Sequence, residues 1–145
     1  FVRWFMTSKP HKITSQVKYA PSGVDETVGI LLQNKEDEMA SIILSLHAKQ
    51  PKRGTISFDK GYIEIFEYPR GDEAVITYTE TGEKEVITAG NTEKALEYEI
   101  EDMEKAVLEN FDMHLNFTKD VMDIMTFIRN EWGMYYPEEE GREIL

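Results

Sequence analysis

The 145 residues carry 16 basic against 28 acidic side chains, a formal net charge of −12 that repels a phosphate backbone, so neither nucleic acid nor membrane is an expected partner. Cysteine is missing altogether, which excludes disulfides, thiolate nucleophiles and zinc–thiolate sites and accords with a cytoplasmic location. With 41% hydrophobic and 30% charged residues the chain has the make-up of a folded globular protein, of a length that fits one domain over residues 1–145.

The first residues, with Trp4 and Phe5 close together, read as the tail of a helix that Pro10 closes. Over residues 12–20 apolar side chains recur at every second place (Ile13, Val17, Tyr19, with Ser15 between), the period of a strand with one buried face. Pro21, Ser22 and Gly23 then turn the chain. Residues 27–34 and 39–48 make a hairpin around the charged tip Lys35, Glu36, Asp37, Glu38. A second pair covers residues 55–58 and 62–68, and Lys60-Gly61 suits a tight turn with positive φ. A third covers residues 74–79 and 84–88, joined through Gly82.

Beyond Gly90 the period changes from two to 3.6. Leu96, Ile100, Met103, Val107 and Phe111 fall on one stripe of a helix whose N-cap is Asn91 or Thr92. A second helix spans residues 118–132, with Val121, Ile124, Met125, Ile128 and Trp132 inward and Gly133 at its end, before a polar tail from Pro137 that is expected to fray. Strands first and helices afterwards predict an α+β fold: a largely antiparallel open sheet of six to seven strands, helices packed on one face and the other face available for oligomerisation. Leu31, Ile43, Tyr62, Phe66 and Tyr68 oppose the apolar sets of their own strands and are the expected interface residues of a dimer or tetramer.

Motifs for chemistry are few. His11, His47 and His114 have no metal-binding spacing, and His47 reads as a partly buried or interface side chain. The runs Glu36-Asp37-Glu38 and Glu138-Glu139-Glu140 lack a calcium-loop pattern and read as solvated charge. None of the glycines has the Gly-x-Gly-x-x-Gly spacing that lets a backbone approach a dinucleotide pyrophosphate.

Several segments, taken in order, resemble the C-terminal domain of the glucose–fructose oxidoreductase (Gfo/Idh/MocA) family. Residues 51–65 (PKRGTISFDKGYIEI) are similar to its proline, strand, small-residue turn and Gly-x-Ile-x-Ile element. Residues 25–34 (DETVGILLQN) resemble its strand ending in Phe-x-Asn-Gly, with Gln33 and Lys35 as departures. Residues 98–103 (YEIEDM) and 118–137 resemble its two closing helices and their exit, so the likeness runs from about Trp4 to Pro137. It implies a parent enzyme that binds NAD or NADP on an N-terminal Rossmann domain, not present in this chain, and oxidises or reduces a sugar, polyol or related compound. It also implies that the catalytic lysine of a Glu-Lys-Pro motif and an Asp-x-x-x-His pair lie upstream of Phe1. No catalytic, cofactor-binding or metal residue is therefore expected here, no cofactor on this chain alone, and no turnover. Lys9 of Ser8-Lys9-Pro10 falls in what the family has as a variable connector. Phe1, Arg3 and Trp4 are the substrate-side candidates. The rival reading is a stand-alone small-ligand-binding or dimerisation module without catalysis.

Overall fold

The structure is a computed structural model that describes residues 1–68, 70–136 and 139. The described residues form an α+β fold with seven strands in two open antiparallel sheets and two α-helices. The strands are β1 (Lys12–Tyr19), β2 (Asp25–Gln33), β3 (Met39–Ser45), β4 (Arg53–Phe58), β5 (Gly61–Phe66), β6 (Glu73–Tyr78) and β7 (Lys84–Thr88), and the helices are α1 (Ala95–Glu109) and α2 (Leu115–Glu131). In place of an opening helix, Val2–Phe5 forms a 3-10 turn. The chain divides into two compact units, one of Val2–Lys49 with the segment from Asn116 onward, the other of Gln50–Leu115 with Phe1. No helix among the described residues is long and apolar enough to cross a membrane.

In the first unit β1, β2 and β3 form a meander. Residues directly opposite one another share a face, so the register Ile13↔Leu32↔Ala40 and Ser15↔Ile30↔Ile42 defines an apolar side. α2 lies on that side. Leu32, Ile124 and Ile128 are buried together, and Val2, Ile13, Ile30, Ala40, Ile42 and Trp132 pack around them. Trp132 explains the hydroxyl on the core face, because its indole Nε1 donates to Ser15 Oγ at 2.9 Å while Tyr19 donates to the Trp132 carbonyl at 2.9 Å. Gly133, at φ +64, ends α2 as the sequence suggests. The inward stripe of α2 is narrower than expected: Ile124 and Ile128 are buried whereas Val121 and Met125 are exposed, since one i, i+4 ridge suffices to cover a three-stranded sheet.

In the second unit β4 to β7 form a four-stranded meander. Ile56↔Ile63↔Ile76 and Gly54↔Ile65↔Ala74↔Ile87 share one face, and Thr55↔Glu64↔Val75↔Val86 lie on the other. Gly61 has no positive φ. It begins β5, opposite Phe58, and is glycine because a Cβ there would collide with the Thr77 carbonyl oxygen, a demand of sheet packing and not of the turn. Gly82, between β6 and β7, does take φ +73. Asn91 caps the 3-10 turn Thr92–Lys94 that leads into α1, its Oδ1 accepting from Glu93 N at 2.9 Å. No residue of α1 is buried, so the stripe expected to face a sheet is exposed.

Candidate functional site

The richest meeting of polar and aromatic groups lies in the first unit, where the opening 3-10 turn meets the first half of α2. Arg3 donates from Nε to Asp120 Oδ2 at 2.7 Å and from Nη1 to the Met6 carbonyl at 2.7 Å. Its guanidinium also lies 4.4 Å above the Phe117 ring centroid, and Trp4 meets the same ring edge to face at 5.5 Å. Phe117 and Asp120 are three residues apart on α2, so one side of that helix serves both the aromatic and the charged contact. Lys9 extends the charge chain, 2.6 Å from Asp123 and 3.6 Å from Asp120. The hydrogen bond to Asp123 holds Lys9 above the ordinary lysine value, and the same bond holds Asp123 below the ordinary aspartate value. A lysine serving as a general base needs the opposite shift, toward neutrality, so Lys9 acts here as a fixed cation.

A second knot ties the segment after this turn to the β2–β3 hairpin. Asn34, fully buried, accepts at Oδ1 from the Glu36 and Glu38 N–H groups at 3.1 and 2.9 Å, an Asx-type arrangement that closes the tip with Asp37 at φ +62. Glu38 reaches across to Thr7, accepting from its N–H at 2.8 Å and its hydroxyl at 2.7 Å, and Glu36 accepts from the Ser8 hydroxyl. The Thr7 hydroxyl above all, then the Thr7 N–H, lowers the Glu38 carboxyl below its ordinary range. The acidic tip read as solvated charge is therefore a structural clasp, with Asp37 also accepting from Gln33 Nε2 at 2.9 Å. Of the acidic run 138–140 only Glu139 belongs to the described residues, and Arg129 holds it through both guanidinium NH₂ groups at 2.5 and 2.8 Å. The polar tail otherwise lies outside the described residues.

Of the substrate-side candidates, Arg3 and Trp4 come together on Phe117. Phe1 does not join them: it belongs to the second unit, stacked on Tyr68 at 4.8 Å, its ring occupying the space where a side chain on Gly54 would stand. The interface candidates also separate. Leu31 and Ile43 are exposed diagonal neighbours on the outer face of the first sheet, where Thr14 and Ser41 stand opposite Leu31 and the exposed Met39 shares the face. Tyr62 and Phe66 lie on the Glu64 face of the second sheet and Tyr68 in the turn after it. His47, expected on the strand, sits exposed in the bend after β3, because pairing ends at Ser45. His114, at φ +53, stands 3.6 Å from Asp112. No group of three or more His, Cys, Asp or Glu set to hold a metal occurs among the described residues. Phe117 and Asp120, on which the cluster turns, carried no sequence signal, since their partners are more than a hundred residues away. No known family model matches the chain, and no curated protein does either.

Proposed function

We propose that this chain is the C-terminal, substrate-side and dimerisation domain of a cytoplasmic NAD(P)-dependent oxidoreductase acting on a sugar, polyol or related compound. The observation that carries the reading is the order of elements: an opening turn, hairpin-linked antiparallel strands, then two closing helices, the order in which the resemblance to the Gfo/Idh/MocA family runs. The nucleotide site and the catalytic lysine belong to a Rossmann domain outside this chain. Within it Trp4, exposed and held edge to face by Phe117, offers an apolar platform for a sugar ring, while Arg3 acts as a positioning residue through its stack on Phe117 and its bond to Asp120. Leu31 and Ile43 on one sheet, and Tyr62 and Phe66 on the other with Tyr68 in the turn that follows, are the surfaces offered to a second copy.

The chain alone, mixed with NAD or NADP and a panel of sugars and polyols, is expected to give no turnover, and turnover above background overturns this division of labour. The coding sequence upstream of Phe1 is expected to encode Gly-x-Gly-x-x-Gly and Glu-Lys-Pro; an upstream region without them sinks the oxidoreductase reading. Sedimentation over a range of concentrations is expected to show a dimer, and a strict monomer removes the pairing role.

A further inference from the structure

α1 is amphipathic, yet its apolar stripe faces outward. Ile100 and Val107 are 70% and 74% exposed, and with Met103 and Leu108 they form an open apolar strip along one side of the helix, bordered by Glu99 and Glu104. An exposed stripe at i, i+3, i+7 and i+8 is the pattern by which helices dock on one another. The charges beside it select the occupant. α1 carries six acidic side chains and a single basic one, Lys105, which falls on the far side of the helix and lies 3.6 Å from Asp102. Lys94, just before α1, lies 3.4 Å from Glu97. Glu99 and Glu104 are the acidic side chains that border the apolar strip itself.

Three occupants compete. A second copy of α1 would bring one row of carboxylates against another, and like charges at close quarters oppose pairing. Helices that lie on a bilayer carry Lys and Arg on their polar face, the reverse of this flank, so an anionic membrane is repelled. A helix with its own apolar anchors and Lys or Arg on either side buries the stripe and neutralises Glu99 and Glu104 at once. We infer that the exposed apolar strip of α1 is a docking site for a partner protein's amphipathic helix with basic flanks. The surface is distinct from the sheet faces assigned to a second copy above, and its test does not depend on oxidoreductase activity.

The probe is a fluorescein-labelled amphipathic Leu/Lys helical peptide titrated into the full 145-residue chain and followed by anisotropy, beside a Leu/Glu peptide of the same apolar pattern. The Leu/Lys peptide is expected to bind, more weakly as salt is raised, and the Leu/Glu peptide not to bind. Ile100→Glu with Val107→Glu is expected to weaken binding by at least about tenfold with far-UV circular dichroism and thermal midpoint unchanged, since glutamate is a good helix former at exposed sites. Glu99→Lys with Glu104→Lys leaves the stripe intact and is expected to turn the preference toward the Leu/Glu peptide. The inference is overturned by equal binding of the two peptides, by undiminished binding in the Ile100/Val107 variant, by recruitment to phosphatidylserine vesicles, or by a self-association that Val107→Glu abolishes. A large drop in thermal midpoint in the Ile100/Val107 variant would also overturn it, because the stripe would then be covered from within the chain.

Discussion

Replacing Ile128 by alanine should come close to unfolding the first unit. Ile128 is 3% exposed and is buried with Leu32 and Ile124 in the small cluster on which α2 docks. The change removes three carbon groups at about 0.8 kcal/mol each of transfer free energy. The unrelaxed part of the cavity adds about 1 kcal/mol, for a loss of about 3–4 kcal/mol. With a urea m-value of about 2 kcal/mol/M the midpoint should fall by about 1.5–2 M. Trp4 and Trp132 are the chain's two tryptophans and both lie in this unit, so fluorescence reports its unfolding selectively. The matched control is Ile43→Ala, on the opposite face of the same sheet and 66% exposed, which at protein concentrations low enough to keep the chain monomeric should cost less than about 0.5 kcal/mol. Equal losses at the two positions, or a loss below about 1 kcal/mol at Ile128, would refute the assignment of α2 to the Leu32 face.

Two further outcomes test the remaining contacts. The folded-state Glu38 carboxyl titrates below its ordinary value of 4.5, so its contribution is complete above that pH and is lost as pH falls through the lowered folded value; Glu38→Gln should therefore flatten the acid limb of thermal stability below pH 4.5, and an unchanged limb would show that the Thr7 clasp does not persist in solution. Gly61→Ala should cost at least about 2 kcal/mol by far-UV circular dichroism, because its Cβ meets the Thr77 carbonyl and a backbone must move; a cost below that of Gly82→Ala, where only φ +73 is at stake, would argue against this account.

What the chain made legible was local. Alternation named every strand because the pleat writes itself at period two, and Gly23, Gly82 and Gly133 marked turns because only the backbone at each is involved. Gly61 looked like one more turn residue, and its true reason, the Thr77 carbonyl on the neighbouring strand, lies 16 positions away and leaves no mark beside it. The division into two sheets is non-local in the same way. β3 and β4 are both edge strands, and the stretch between them contains Pro51, which has no N–H to donate, but no spacing rule says that two consecutive strands will decline to pair. Arg3 was singled out for its position near the opening of the chain, and Asp120, 117 residues on, gave no sign that it would hold it.

The two helices make the deeper point, because their sequences carry the same kind of stripe and the structure treats them differently. A 3.6-residue period states that one side of a helix prefers not to face water; it does not state what removes the water. On α2 the flanks of the stripe are mixed in sign and Leu32, Ile30 and Ile13 stand opposite, so Ile124 and Ile128 disappear into the core. On α1 the neighbouring charges are almost all acidic and nothing is buried. Apolar area of that extent, left open and edged by one sign of charge, is costly to keep unless something complementary comes to cover it, and that electrostatic edge, unlike the hydrophobic period, was written in the sequence all along.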